Sequence, residues 1–226
     1  MSGRTPSAPR CAAIVGPYLS GKTTLMEAML SACGAIHRKG SVKDGSSVGD
    51  AAPEARAHNM SVEMSLASAE FLGEQWHFVD CPGSVEFLQD TYAALSMCDV
   101  AVVVCEPEAS RALTLGPLFH FLDAHDIPHM LFINKMDTVN DRVRELLEAL
   151  QSVSENGTTW PATGGAATVI RPRAMPVRPR SRSLIRFMSR LAWQHDSRSW
   201  LGLPPIRDQL HPDAIAIFIV EGHGER

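Results

Sequence analysis

Residues 16–23 read GPYLSGKT, a full match to the pattern G-x-x-x-x-G-K-[ST] and the segment of this chain best suited to chemistry. Glycine lets the backbone approach phosphate groups closely, and successive amides at a helix N-terminus offer positive partial charge. The lysine would neutralise the β- and γ-phosphates of a nucleotide, and the threonine hydroxyl would ligate Mg²⁺. The residues expected to contact the nucleotide here are Gly16, Ser20, Gly21, Lys22, Thr23 and Thr24.

The segments on either side of this loop decide between two interpretations, a nucleotide site and an ordinary glycine-rich turn. Residues 11–15 (CAAIV) have the apolar run of a short buried strand, and residues 24–30 (TLMEAML) have apolar residues at helical spacing. A strand, the loop and a helix in this order are the context that the pattern needs. The sequence therefore favours nucleotide binding over the simple turn.

A second motif, Asp80-Cys81-Pro82-Gly83, ends the predicted strand 75–80. An Asp at the C-terminal end of a strand can hold Mg²⁺, usually through water, and the Gly lets a backbone amide approach the γ-phosphate. Alone, D-x-P-G is a common turn, but its place after the phosphate loop and before a helix favours a nucleotide site. We expect Asp80 and Gly83 to contact the nucleotide, and Asp80 to ligate the metal together with Thr23.

A third motif, Asn134-Lys135-Met136-Asp137, follows the apolar run 130–133 and indicates which base is bound. A carboxylate at Asp137 accepts two hydrogen bonds from N1 and N2 of guanine, whereas adenine offers no such pair. Asn134 would tie this loop to the phosphate loop, and the stem of Lys135 would lie over the base. A polar turn is the alternative for this motif alone, but all three motifs in order predict GTP or GDP with Mg²⁺.

The pattern of the remaining segments predicts an α/β domain, a three-layer P-loop NTPase domain with a mainly parallel sheet and helices on both faces. Apolar patterns predict strands at 61–67, 75–80, 99–105 and 130–133. Amphipathic patterns predict helices at 85–97, 110–124 and 139–153. Residues 31–57 predict a long surface loop that the γ-phosphate and Mg²⁺ would order.

Residues 11–150 resemble the translational GTPases, and elongation factor G in particular. Residues 80–87 (DCPGSVEF) look like that family's D-T-P-G-H-V-D-F, and residues 132–137 (FINKMD) look like its F-x-N-K-M-D. The resemblance implies GTP binding, a role on the ribosome, and a chain that is normally several domains longer than this one.

This sequence departs from the family at the residue directly after D-x-P-G. The family has a His there that positions the attacking water, and this chain has Ser84. A hydroxyl can hydrogen-bond a water, but it is shorter than an imidazole and carries no positive charge near pH 7. Because phosphoryl transfer depends on positioning and charge stabilisation, we expect Lys22 and Ser84 to support only slow GTP hydrolysis.

Two further departures concern the loop before the second strand and the last strand of the sheet. The family's R-G-I-T motif, whose Thr contacts Mg²⁺ and the γ-phosphate, aligns with residues 58–61 (HNMS), which makes Ser61 a candidate metal ligand. The family's S-A-x motif, which closes a guanine pocket after the sixth strand, has no convincing counterpart. Residues 215–220 (IAIFIV) could form a strand, but EGH comes after them. We therefore expect a sheet without its last strand and a reduced nucleotide affinity.

The composition restricts the class of protein. With 226 residues, 45% hydrophobic residues and a net charge of −4, the chain is typical of soluble globular proteins. No apolar run approaches the ~20 residues of a membrane helix, and residues 1–10, predicted as a disordered N-terminus, lack the apolar core of a signal peptide. The five cysteines form no C-x-x-C pair, which favours free thiols in a reducing cytoplasm over disulfides or a metal site.

The tail, residues 156–226, differs in composition from the predicted GTP-binding domain, residues 11–155. The tail contains 10 Arg, no Lys and 5 acidic residues, whereas residues 1–155 contain 11 Lys or Arg and 20 acidic residues. Its segment 171–182 (RPRAMPVRPRSR) excludes a helix or an interior strand because of its prolines. Three interpretations are open: a basic arm that contacts RNA phosphates, a disordered tail, or the product of a shifted reading frame.

Three hypotheses for function emerge from the sequence. The first is an elongation factor G-like GTP-binding domain that hydrolyses GTP weakly and acts with the ribosome. The second is a GTP-dependent binding module that does not hydrolyse GTP, and the third is a truncated product without activity. None of them involves a membrane or DNA, and nucleotide affinity and selectivity distinguish between them.

Overall fold

A computed structural model describes residues 10–42, 44–49, 54–55, 60–71, 73–135, 149–150 and 152, together with the backbone of two strands at 169–170 and 215–219. The predicted N-terminal segment up to residue 9, most of the predicted helix 139–153 and most of the tail lie outside the described residues. Asp137 lies outside them as well.

Strands and helices follow one another along the described part of the chain, and the strands form a single sheet. The strands are β1 (Arg10–Val15), β2 (Ser65–Phe71), β3 (Glu74–Asp80), β4 (Val100–Cys105), β5 (His129–Ile133), β6 (Val169–Ile170) and β7 (Ile215–Ile219). Their order across the sheet is β2-β3-β1-β4-β5-β7-β6. Only the edge strands β2 and β6 are antiparallel to their neighbours in this sheet. The predicted mainly parallel sheet is confirmed.

Helices cover both faces of this sheet, as its central strand shows. The helices are α1 (Lys22–Ala32), α2 (Leu88–Met97), α3 (Ala109–Leu113) and α4 (Gly116–Ala124), with a 3₁₀ turn at Val85–Phe87. All six residues of β4 are buried, and successive side chains of a strand point to opposite faces. Val102 therefore packs in one core cluster with Met26 of α1, and Val103 packs in a second cluster with Leu122 of α4.

Two predicted elements differ from the structure by more than a small shift of their ends. The predicted helix 110–124 is divided into α3 and α4, because Gly116 and Pro117 begin a new helix and proline is favoured in the first helical turn. The second strand begins at Ser65, four residues later than predicted, and continues to Phe71. The alternating pattern extends that far because Ala67 and Ala69 are both buried.

A further strand lies beside β5, whereas we expected a sheet without its last strand. The strand β7 lies parallel to β5, with Leu131, Phe132 and Ile133 opposite Ile217, Phe218 and Ile219. Its backbone supplies donors and acceptors to the edge of β5, a role that requires no S-A-x motif after the strand. Sequence reasoning discounted this segment because EGH stands in place of that motif, whereas its branched and aromatic residues suit a strand.

The described residues add two findings on the expectations from composition. Among them, no helix combines the length and the apolar character needed to cross a bilayer. All five cysteines are free thiols, of which Cys81 and Cys105 are buried.

Candidate functional site

Four loops meet at the carboxyl end of the parallel strands, where ligands bind in open α/β sheets. They extend from β1, β3, β4 and β5, and backbone hydrogen bonds join two of these loops to the end of the neighbouring strand. Cys81 N donates to Ile14 O at 3.0 Å, and Asn134 N donates to Cys105 O at 2.8 Å. All three predicted motifs start at this edge of the sheet.

The phosphate loop, residues 16–23, requires glycine at two positions. Gly16 has φ +140°, and a Cβ atom there would lie 2.0 Å from Val104 O. Gly21 has φ +93°, and a Cβ atom there would lie 2.3 Å from Asn134 Nδ2. Any side chain at these positions would collide with β4 or with the third motif, so the loop packs directly on both.

The helix after the loop presents an open N-terminus. No side chain caps α1 at Gly21, and its first turn contains no acidic residue. The first amides of a helix lack intrahelical acceptors and carry the positive end of the helix dipole, so this end is suited to bind an anion. Thr24 lies exposed on this first turn. Ser20 is fully buried and its hydroxyl has no hydrogen-bond partner among the described residues, which leaves it available to a bound ligand.

The loop of the second motif lies directly over the phosphate loop. The Lys22 side chain is buried, and its Nζ donates to Pro17 O at 3.0 Å. A Cβ atom on Gly83 would lie 2.4 Å from Lys22 Nζ and 2.7 Å from Tyr18 N. Only glycine fits here without displacing backbone, which is the physical reason for the last residue of D-x-P-G.

A hydroxyl and a carboxylate of the predicted metal site are in direct contact. Thr23 Oγ1 donates to Asp80 Oδ2 at 2.5 Å, and the two residues are 7% and 1% exposed. These are hard oxygen donors of the kind Mg²⁺ prefers, and Mg²⁺ is usually bound by one or two such groups together with substrate phosphates. The described residues contain no cluster of three or more His, Cys, Asp or Glu that would hold a metal without a phosphate ligand. Thr23 and Asp80 therefore fit Mg²⁺ bound to a nucleotide.

The third motif is tied to the phosphate loop by two side chains. Asn134 Nδ2 donates to Ser20 O at 2.9 Å and so ties this loop to the phosphate loop. Lys135, which has φ +59°, donates from Nζ to Leu19 O at 2.7 Å. Base selection by Asp137 stays a prediction, since that residue lies outside the described residues.

No described contact defines the role of two predicted residues, Ser84 and Ser61. Ser84 precedes the 3₁₀ turn, is half-buried, and makes no side-chain capping bond, so its hydroxyl is not committed to that turn. Ser61 is half-buried, four residues before β2. Because Ser65 of β2 pairs with Asp80, the chain leaves the sheet beside the metal candidates as it runs back towards Ser61.

Sequence reasoning missed two charged residues beside the phosphate loop, Glu106 and Arg111. Glu106 comes directly after β4, and Arg111 lies on α3. Arg111 Nη1 donates to Tyr18 O at 2.9 Å and pairs with Glu106 Oε2 at 3.0 Å. Glu106 could have been found from its position at the end of a buried strand, the same feature that makes Asp80 a candidate.

The protonation of Cys81 reflects this environment. Burial raises the pKa of the Cys81 thiol to about 12, and the neighbouring Asp80 carboxylate adds to the shift while the Lys22 ammonium opposes it. Cys81 is therefore a neutral thiol at physiological pH, and a neutral thiol is a poor nucleophile.

Comparison with known proteins places this geometry in a family. The model of the elongation factor Tu GTP-binding domain matches residues 8–198, which extends beyond the boundary near residue 155 that composition suggests. An elongation factor G-like protein of Synechocystis sp. is 53% identical over 154 residues, which are 68% of this chain and 23% of that protein. The chain thus spans about a quarter of the length of this relative.

Solved structures show the same fold. A protein from Thermus thermophilus is 28% identical with a TM-score of 0.60, over 83% of this chain and 31% of that one. The Ski7 GTPase-like domain of S. cerevisiae, solved with bound GTP, has a TM-score of 0.53 at 16% identity, over 66% of this chain and 39% of its own. The family match, the relatives and the arrangement of the three motifs agree: the chain belongs to the translational GTPases with an elongation factor Tu-type GTP-binding domain.

Proposed function

We propose that this chain is an elongation factor G-like GTP-binding module that binds GTP and GDP with Mg²⁺, hydrolyses GTP slowly, and acts with the ribosome. The observation that carries the proposal is the meeting of the phosphate loop with the other two motifs at one edge of the sheet. The supporting contacts are those of Thr23 with Asp80, Gly83 with Lys22, and Asn134 with Ser20.

Each motif has a distinct task in nucleotide binding. The amides of the phosphate loop and the N-terminus of α1 would bind the phosphates, and Lys22 would neutralise the β- and γ-phosphates. Thr23 and Asp80 would hold Mg²⁺, with Ser61 as a further ligand, and the metal supplies neutralisation of phosphate charge when bound. Asn134 and Lys135 would fix the base-binding loop, and Asp137 would select guanine.

Hydrolysis is proposed to be slow because of the residue directly after the second motif. Ser84 stands where the family has a His, and a hydroxyl at this distance from the backbone reaches less far towards a water above the γ-phosphate. The buried Lys22 supports charge stabilisation, so binding is expected to be retained while turnover is reduced. The expected consequence is a long-lived GTP-bound state.

Partners and location are inferred from the family rather than from contacts on this chain. We propose the ribosome as partner and the cytoplasm as location. We propose the Arg-rich tail as a candidate RNA contact, with a domain boundary near residue 155. Reading the gene in the other two frames tests whether the tail is the product of a shifted reading frame. If neither frame yields a family-like continuation, that interpretation is wrong.

Nucleotide titration of the full chain tests the central proposal. We expect GTP and GDP to bind with Mg²⁺, and ATP to bind much more weakly, since only guanine offers two N–H donors to Asp137. Equal affinity for GTP and ATP, or no binding of either, would refute the proposal. Single-turnover hydrolysis with and without ribosomes then measures the slow step: stimulation to rates usual for translational GTPases would contradict the assigned effect of Ser84.

A further inference from the structure

One carboxylate bridges two cations behind the phosphate loop. Glu106 Oε2 pairs with Arg111 Nη1 at 3.0 Å, and Glu106 Oε1 accepts a short hydrogen bond from Lys135 Nζ. The Glu106 side chain is only 14% exposed, whereas those of Arg111 and Lys135 are 36% and 42% exposed. The bridge connects α3 with the base-binding loop, two elements that are 24 residues apart in sequence (135 − 111).

Both cations also hold the backbone of the phosphate loop. Arg111 Nη1 donates to Tyr18 O at 2.9 Å, and Lys135 Nζ donates to Leu19 O at 2.7 Å. A trans peptide directs its C=O and its N–H to opposite sides, so a fixed Tyr18 carbonyl also fixes the direction of the Leu19 amide. Leu19 has φ +62°, a left-handed conformation that is unfavourable for a leucine and that surrounding contacts must maintain.

We propose that Arg111, oriented by Glu106, is a positioning residue that holds the phosphate loop and Lys135 in their nucleotide-binding conformation and thereby sets the affinity for guanine nucleotides. This inference rests on the proposed function. Neither Arg111 nor Glu106 belongs to the three sequence motifs. Arg111 acts from outside the loop, through the Tyr18 carbonyl, and needs no contact with the nucleotide itself.

The exposure of the arginine predicts which property changes when it is removed. Ion pairs that are partly open to solvent contribute little to global stability, because water and salt screen them. A loop held in an unfavourable conformation, by contrast, loses binding competence when one of its few anchors is lost. Loss of Arg111 should therefore weaken nucleotide binding much more than it lowers the melting temperature.

The test compares Arg111→Met with Arg111→Lys and with a matched control. Arg10→Met removes another ion pair, Arg10 with Glu74 at 2.8 Å, from the start of β1 at the opposite end of the sheet from the phosphate loop. Dissociation constants for fluorescent GTP and GDP are measured for each variant, with the melting temperature of the nucleotide-free protein. Amide hydrogen exchange at Ser20, whose N–H donates to Pro17 O at 3.3 Å, reports the loop directly.

We expect Arg111→Met to weaken GTP and GDP binding by the same factor, about tenfold. This is the low end of the range for loss of one hydrogen bond to a charged group, because the Arg111 side chain is partly exposed to solvent. Ser20 should exchange faster, Arg111→Lys should recover part of the affinity, and Arg10→Met should bind as the unmodified chain does. Unchanged binding in Arg111→Met, or an equal loss in Arg10→Met, overturns the inference.

Failure of the proposed function has a separate signature. If the unmodified chain binds no guanine nucleotide, the proposed function fails and the role of Arg111 in affinity fails with it. Exchange at Ser20 in the nucleotide-free protein then still decides whether Arg111 holds the loop: equal rates in the unmodified chain and in Arg111→Met refute the positioning role itself.

Discussion

A single buried carboxylate, Glu27 of α1, holds part of the loop that joins α1 to β2. Glu27 is 1% exposed, and its Oε2 accepts a hydrogen bond from Gly40 N at 2.8 Å. Its Oε1 accepts a short bond from Val48 N. The segment between these two amides is closed by its own bonds, since Ser41 N donates to Ser46 Oγ and Ser46 N donates to Ser41 O, at 3.0 and 3.1 Å. Glu27 therefore fixes both ends of a compact loop, residues 40–48.

Replacing this carboxylate should destabilise the protein by an amount that its contacts define. A hydrogen bond to a charged group contributes about 1.5–3 kcal/mol. Glu27→Gln keeps the volume and one acceptor but turns an NH₂ group towards the second amide, so we expect the free energy of unfolding to fall by about 2 kcal/mol. Glu27→Ala loses both bonds, but Val48 is an exposed residue whose released amide can bond to water, so we expect a loss of about 3 kcal/mol.

Urea unfolding measures these losses, and amide hydrogen exchange locates them. Exchange at Gly40 and Val48 should become faster in both variants, while amides in β4 should report only the global change. Glu63→Gln, which changes an exposed glutamate before β2, is the control and should stay within about 0.5 kcal/mol of the unmodified chain. An unfolding midpoint and exchange rates in Glu27→Gln equal to those of the unmodified chain would refute the anchoring role.

Three further predictions address the second motif and the thiols. Gly83→Ala places a methyl group against the backbone of the phosphate loop, so we expect weaker GTP binding and a loss of about 1–3 kcal/mol in the free energy of unfolding. Nucleotide titration and urea unfolding measure the two effects, and retained affinity would contradict the close packing. Ser84→His should accelerate single-turnover GTP hydrolysis by at least about tenfold with little change in nucleotide affinity, and an unchanged rate would show that residue 84 is not the water-orienting position. Burial raises the pKa of the Cys81 and Cys105 thiols to about 12, whereas a hydrogen bond from Cys98 lowers the pKa of Cys11. Iodoacetamide at pH 8 should therefore modify Cys11 first and the two buried thiols only after unfolding, as mass spectrometry can show; early modification of Cys81 would contradict its burial.

The motif positions were predictable because each motif depends on residues that are close together in the sequence. A glycine with positive φ, a strand before it and a helix after it are properties of neighbouring residues, so Gly16, Gly21 and a helix after the loop are predicted by the pattern. That helix begins at Lys22, two residues before the predicted segment 24–30. Even one long-range contact, Asn134 with Ser20, was accessible, because parallel strands bring their carboxyl ends to one edge.

Other features were mispredicted where long-range or competing local effects decide. The apolar pattern of 110–124 indicated one helix. Apolar spacing carries no information on the preference of proline for the first helical turn, which makes Pro117 part of a new helix start. The last strand was discounted because no S-A-x motif comes after it, yet β7 pairs with β5 through backbone groups that every sequence possesses.

The sequence by itself determined the family, the three motifs and the mainly parallel sheet, because glycine geometry, apolar periodicity and motif order are all encoded over short distances. Only the tertiary structure decided what supports the site. Arg111 reaches Tyr18 across 93 residues of chain, and Glu27 selects two amides among those of a long loop. A charged side chain gives no local signal of which distant carbonyl or amide it will meet, since that choice is made by the packing of the elements that carry them.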